Sequence, residues 1–203
     1  MSEEQDLNDA CNGCQDALNR LFTMYSPQLE RMINLRLDSR LRARVCAEDI
    51  LQETYCKVFE RLKDFCKHQS VPFHIWLRVQ TSEQLISSRR YHLGIKKRSA
   101  DVEVSIGRSN MPQVDTASIA RQLIGKFTSP TQAALRSEIQ EAVQLALNEM
   151  DAIDREIIVL RHFEHLTNNE AAMLLGLHKA TASKRYLSAL KRLQSVMLAG
   201  GRD

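Results

Sequence analysis

Residues 167–193 read TNNEAAMLLGLHKATASKRYLSALKRL, and this stretch decides the fold. Thr167 followed three residues later by Glu170 is a capping box, in which each residue satisfies a backbone amide at the start of a helix. Ala171, Ala172, Leu174 and Leu175 follow at inward-facing spacing. Gly176 then stands where a helix must end in a left-handed residue. Leu177 plugs the gap, and a second helix is predicted to begin near Lys179. Ala172 lies four residues before the glycine, where a small side chain lets two helices cross closely. Cap, small residue, glycine and second helix at this spacing predict a helix-turn-helix, whose second helix enters a DNA major groove.

The second helix also has unusual charge. From Leu175 to Leu193 there are five lysines and arginines and no acid. Tyr186, Leu187, Leu190 and Leu193 keep a helical packing rhythm. Lys179, Thr181, Ser183, Lys184 and Arg185 lie toward the N-terminal, outward end, with Ser188, Lys191 and Arg192 beyond them. Hydroxyls and cations suit phosphates and base edges. A solvated basic helix in an ordinary bundle is the plainer alternative, but a surface helix usually mixes signs.

Outward from this motif, nearly every apolar run is spaced by three and four, so the chain reads as all-α. In AEDILQETYCKVFERLKDF, Ile50, Thr54, Val58 and Leu62 form one row, and Leu51, Tyr55 and Phe59 the next. That predicts a helix over 47–65. Earlier helices are predicted over 9–25 and 27–37, and Pro72 opens another, PFHIWLRVQTSEQLISSRRYH. Between 99 and 129 the stripe fails. That stretch reads as a linker, with a short helix over 117–124. Ser129, Pro130 and Gln132 form a start signal for a helix reaching Met150. Two small helical domains are therefore expected, 1–98 and 130–203, joined by a flexible linker over 99–129.

Composition narrows the function. The chain has 203 residues, 43% hydrophobic and 26% charged, with a net charge of +3, ordinary for a globular protein. No apolar run is long enough to span a bilayer, and the acidic opening MSEEQDLNDA is unlike a secretory signal. A cytoplasmic protein without membrane insertion is expected. Seven glycines are too few for phosphate-cradling loops to be favoured. Five scattered cysteines suit free thiols better than a disulfide framework. Cys11-Asn12-Gly13-Cys14 is a lone CxxC without a second pair, so neither metal nor redox chemistry is expected there. Cys46, Cys56 and Cys66 read as small buried hydrophobes. No nucleophile–base constellation stands out, so no enzyme, metal or cofactor is expected.

With its flanks, DREIIVLRHFEHLTNNEAAMLLGLHKATASKRYLSALKRL closely resembles the promoter-reading C-terminal domain of sigma factors of the extracytoplasmic-function type, in the sigma-70 superfamily. AEDILQETYCKVFERLKDF resembles that family's core-polymerase-binding helix. The stretch from Phe73 through Trp76 to Arg78 resembles the start of its melting and −10-reading helix. Both matches stand in the family's order. The resemblance implies a protein that binds core RNA polymerase, holds duplex −35 DNA with its C-terminal domain and captures single-stranded −10 bases with its N-terminal domain. It also leaves room for an anti-sigma factor or another adaptor as partner.

On this resemblance Asp49, Gln52 and Glu53, which share one helix face, meet core polymerase. Arg78, Ser82, Arg89 and Arg90 fall to −10 DNA, since single strands require a basic groove. Lys179, Thr181, Ser183, Lys184, Arg185, Ser188, Lys191 and Arg192 fall to the −35 element. Trp76 reads as core rather than as a stacking platform. Three departures from the family pattern stand out. Gln80, Ser82, Glu83 and Gln84 occupy the region where an asparagine and an aspartate are usual, His178 replaces a usual serine or threonine cap, and Ser183 stands where a base often sits. The alternative reading is a helix-turn-helix regulator that binds duplex DNA without core polymerase.

Overall fold

The computed structural model describes residues 2–37, 40–92, 114–125 and 133–199. The described residues form helices without a strand: α1 Glu3–Cys11, α2 Gln15–Arg36, α3 Ala47–His68, α4 Phe73–His92, α5 Thr116–Gly125, α6 Ala133–Glu149, α7 Ala152–Ile158, α8 Asn168–Leu175 and α9 Lys179–Ala199. The chain divides into two compact units, 1–98 and 99–203.

In the first unit α2, α3 and α4 pack on one another around Leu18, Leu21, Leu29, Val58, Leu62 and Leu77. A second cluster joins Ile33, Leu37, Leu41, Val45, Ile50 and Leu85. The row Ile50, Thr54, Val58, Leu62 is buried along its whole length, whereas Phe59 in the adjacent row is 55% exposed. Trp76 is half-buried, stacked on Phe65 with centroids 4.6 Å apart, and so belongs to the core edge.

Two helix boundaries differ from the sequence reading. The predicted helix over 9–25 is broken at Gly13, whose φ of +95° ends α1 and starts α2. Conversely, Pro27 does not separate two helices but lies inside α2. A proline inside a helix removes one backbone hydrogen bond. Here Leu18, Leu21, Phe22, Leu29, Met32 and Ile33 carry one continuous buried stripe past it, and packing of that stripe outweighs the loss.

The cysteine reading is corrected as well. Cys11, at the end of α1, is disulfide-bonded to Cys66 in the last turn of α3. Cys46 and Cys56 are exposed thiols, as is Cys14. The helical spacing of cysteines does not reveal which helix ends meet in space. α1 is further tied down by Arg20, which donates to Asp6 at 2.7 Å, and by the Tyr25 hydroxyl, which donates to Glu3.

The second unit is built on α6, α7, α8 and α9, with α5 packed against α6. Ile119, Ala120 and Ile124 of α5 are buried, so this helix, read from sequence as an island in a linker, contributes to the core of the unit. The start signal at Ser129 to Gln132 lies outside the described residues. α7 runs into a widened π-turn over Val159–Phe163, closed by the Glu164 amide donating to the Val159 carbonyl at 3.0 Å. The extra residue keeps Val159, Leu160 and Phe163 all buried.

The helix-turn-helix forms as its residues dictate. The Glu170 amide donates to Thr167 Oγ1 at 3.3 Å, and Glu170 Oε2 accepts from the Thr167 amide at 2.7 Å. Gly176 sits at φ 63°, ψ 33°, and the Leu177 amide returns to the Ala172 carbonyl at 2.9 Å. A side chain in that left-handed conformation costs roughly 1–2 kcal/mol. Gly176→Ala should therefore lower stability by about 1 kcal/mol or more, read by urea unfolding. An unchanged midpoint would mean the turn does not need its glycine.

Candidate nucleic-acid interface

α9 leaves the turn with its first residues held from behind. The Asn168 side-chain amide donates to the Lys179 carbonyl at 2.9 Å, coupling the start of α8 to the start of α9. Ala182, Ala189 and Leu193 are the buried positions of α9, with Tyr186 and Leu190 half-buried beside them. The Arg161 guanidinium lies over the Tyr186 ring at 5.2 Å, a favourable cation–π geometry. Leu187 departs from the sequence reading. It is 58% exposed rather than packed, because small alanines at 182 and 189 form the inward arc and Leu187 falls about 100° beyond Tyr186.

The outward face therefore carries Thr181, Lys184, Leu187, Ser188 and Lys191, all exposed. Lys179 is exposed at the N-terminal end, and Ser183 is half-buried at the edge. The two arginines behave differently. Arg185 turns toward α7 and donates to Asp154 at 2.6 Å, with Asp151 at 3.5 Å. Hydrogen bonding to Asp154 raises its pKa further. Arg192 pairs with Glu149 of α6 at 3.2 Å. Both acids are far away in sequence, which is why the basic stretch looked uncompensated. Three lysines remain as the strongly exposed cations of α9, and Arg185 joins α9 to the N-terminal end of α7.

In the first unit, Asp49, Gln52 and Glu53 come together around a polar recess of about 330 Å³ that Arg44 of the preceding loop and Ser88 and His92 of α4 also line. All three are exposed, but two of them also hold the fold. Asp49 Oδ2 accepts from the Cys46 amide at 2.9 Å and from the Cys46 thiol at 3.0 Å, closing the α3 capping box. These bonds, the amide's first, depress the Asp49 pKa, while the neighbouring carboxylate pushes the Cys46 thiol up. Glu53 accepts from the side-chain amide of buried Gln84 on α4. Gln52, between them, takes part in neither the α3 cap nor the Glu53–Gln84 contact.

The α4 residues proposed for −10 DNA do not all reach the surface. Arg78 is only 3% exposed, and Ser82 is buried with its hydroxyl donating to the Arg78 carbonyl at 3.0 Å. Gln80 and Gln84 are buried as well. Both are engaged with α3: Gln80 accepts from Arg61 at 2.8 Å, as does the neighbouring Glu83 at 2.7 Å, and the Gln84 side-chain amide donates to Glu53. α4 packs on α2 and α3 at once, so an unusually wide arc of it is enclosed. Its accessible surface lies at the C-terminal end, where Arg89 is half-buried and Arg90 exposed. Tyr91, which sequence reasoning passed over, is 82% exposed there and meets the His92 ring edge-on at 4.9 Å. An aromatic within the basic run RRYH was the available signal.

Comparison with known proteins places this geometry. The family described as Sigma-70, region 4 matches residues 140–193, the span from α6 to the buried Leu193 of α9. The ECF RNA polymerase sigma factor BldN of Streptomyces coelicolor is 24% identical over 185 residues, 91% of this chain and 62% of that protein. Over the helix-turn-helix and the helix before it the chain is thus similar to region 4 of sigma-70 proteins, and over most of its length to an extracytoplasmic-function sigma factor. The chain spans a little under two thirds of the length of that curated relative. The solved structure of CnrH in complex with the cytosolic domain of CnrY shares the fold, with a TM-score of 0.57, 19% identity and 97% of each chain covered. The structure of the sigma factor RpoE with the anti-sigma factor NepR from Bartonella quintana aligns with a TM-score of 0.48 and 20% identity, over 88% of this chain and 95% of that one. Among the described residues, no helix is long and apolar enough to cross a membrane.

Two outcomes follow from the ion pairs and the cap. Arg185→Ala and Asp154→Ala should have similar effects, lowering affinity for matched and randomised promoter elements alike. A double-mutant cycle should show coupling of about 0.5–1 kcal/mol in urea unfolding. If Arg185→Ala alone relaxes preference at one base pair, the arginine reads DNA despite its acids. The depressed pKa of Asp49 gives a second expectation. Its contribution to stability is fully present above the unfolded aspartate value, about 3.9, and is lost as pH falls through the lower folded value. An acid titration followed by ellipticity should lose that component in Asp49→Asn, and identical acid profiles would show that the cap is not pH-linked.

Proposed function

We propose that this chain acts in the cytoplasm as a sigma subunit, binding core RNA polymerase and directing it to promoters through a duplex −35 contact at α9 and a single-stranded −10 contact at α4. The observation that carries this reading is the exposed row of α9. Thr181, Lys184, Ser188 and Lys191 stand on the outer helix of a well-formed helix-turn-helix, with their cations directed away from the acids that hold Arg185 and Arg192. Lys179 and Lys191 suit phosphates and Thr181, Lys184 and Ser188 base edges, while exposed Leu187 offers an apolar contact of the kind a thymine methyl accepts. Ser183 and Arg192 border this face, and Arg185 sets its tilt from behind.

In the first unit the recess around Gln52, with Asp49 and Glu53 on its rim, is the face we assign to core polymerase. For −10 DNA the surface end of α4 supports Arg89, Arg90 and Tyr91, a basic and aromatic pair of elements suited to unpaired bases. Arg78 and Ser82 support that surface from within. CnrH is bound by the cytosolic domain of CnrY in its structure, and by analogy we assign this chain a restraining protein partner, an anti-sigma factor or another adaptor. The alternative, a regulator that works without polymerase, lacks a use for the α3 recess.

The test is transcription in vitro with core polymerase on a promoter library. The chain should direct initiation at a defined set of sequences. Gln52→Lys places a cation in the recess without touching the α3 cap, and should weaken holoenzyme formation several-fold with unchanged melting. With Lys179, Lys184 and Lys191 on phosphates, log affinity of α9 for duplex should fall with log salt at a slope near about −2.7. Duplex binding without core-dependent initiation would favour the regulator.

A further inference from the structure

The Cys11-Asn-Gly-Cys14 motif and the Cys11–Cys66 bond together have no part in the function above. Cys11 and Cys66 are half-buried, so their bond lies at the protein surface rather than in the core. Cys14 is an exposed free thiol three residues from Cys11, at the position preceding the first turn of α2. Cys11, Cys14 and Gly13 line the same open depression, about 370 Å³ in volume, between the α1–α2 turn and α3. Gly13 has φ +95° with no atom within 4 Å of where its Cβ would be, so this turn is neither crowded nor braced from outside. The arrangement puts a free thiol and one cysteine of a disulfide three residues apart on the same open depression, in a short turn.

We infer that Cys11 exchanges disulfide partners between Cys66 and Cys14, forming a thiol–disulfide switch that fastens or releases α1 from α3. In the exchange the Cys14 thiolate attacks Cys11 Sγ. The Cys11–Cys14 bond forms, the Cys11–Cys66 bond breaks, and Cys66 leaves as a thiolate that takes up a proton. No net oxidation occurs. From the fully reduced chain, a low-molecular-weight disulfide such as oxidised glutathione supplies the oxidising equivalents, ending as two thiols.

The consequence is local and directional. With Cys66 bound, a link between residues 55 apart in sequence holds α1 to the end of α3. With Cys14 bound, the link closes within the turn and α1 retains the Asp6–Arg20 and Glu3–Tyr25 contacts. Cys66 follows Phe65, whose ring stacks on Trp76 at 4.6 Å and meets Phe73 at 5.7 Å. The switch thus acts on the corner where α4 begins, and Trp76, the only tryptophan, reports on it. The inference stands on the first unit alone and does not depend on polymerase binding.

The experiment uses the full chain equilibrated in defined ratios of reduced to oxidised glutathione, with free thiols blocked at low pH and linkages mapped by peptide mass spectrometry. Wild type should show both Cys11–Cys66 and Cys11–Cys14, in a proportion that stays constant across the glutathione ratios because the exchange is redox-neutral, with both lost together as the mixture becomes strongly reducing. Cys66→Ser should trap Cys11–Cys14. Cys14→Ser should keep Cys11–Cys66 and resist opening by reduced glutathione, at a rate at least about tenfold slower than wild type, because the neighbouring thiol acts at high effective concentration. Trp76 emission should differ between Cys66→Ser and Cys14→Ser when both are oxidised. Free Cys11 and Cys14 in oxidised Cys66→Ser, or equal opening rates with and without Cys14, would overturn the switch. So would absence of any Cys11–Cys66 peptide.

Discussion

The angle at which α9 leaves the turn at Gly176 governs what its side chains can touch. That angle is set by few atoms. The left-handed glycine and the Leu177 return bond end α8. The Asn168 side chain then holds the Lys179 carbonyl, and Ala172 and Ala182, both buried, leave the room for close approach. At the far side Arg185 pulls the same helix against the N-terminal acids of α7. A side chain is presented reproducibly only if its helix is held within a narrow range of positions, and here the restraints come from caps and ion pairs within the second unit.

The same economy recurs in the first unit, where residues on a candidate contact face also close the fold. Asp49 is the cap of α3, and Glu53 binds a buried glutamine of α4. Substituting either one disturbs a boundary as well as a surface, since a buried amide left without its acceptor carries a desolvation cost. Gln52, between them on the exposed face, separates the two effects. A carboxylate that both caps the start of a helix and borders a recess ties the charge of that recess to the backbone.

α4 shows how enclosure changes the meaning of polar residues. Gln80, Thr81, Ser82, Gln84 and Ser88 are all buried, yet Thr81 and Ser82 satisfy their hydroxyls on carbonyls four residues back, Gln80 Oε1 accepts from Arg61 of α3, and the Gln84 side-chain amide donates to Glu53 of α3. A helix packed on two sides needs small or self-satisfied polar groups wherever it cannot expose them. That leaves its accessible polar and aromatic surface at Arg89, Arg90 and Tyr91.

The helical class, the extent of α3 and the whole of the helix-turn-helix were legible in sequence, because caps, a left-handed glycine and a buried row with helical spacing are local rules. Thr167, Glu170 and Gly176 behave as their residue types demand whatever surrounds them. Other features depended on which segments meet. That Pro27 stays within α2, that Cys11 finds Cys66, and that Leu187 faces outward while alanines face inward follow from packing between helices. So do the Asp154 and Glu149 partners of Arg185 and Arg192, since an ion pair spanning 31 or 43 residues leaves no periodic trace. Composition showed five bases without an acid on α9; only the tertiary fold brought acids from α6 and α7 to two of them, because charge compensation is set by distance in space.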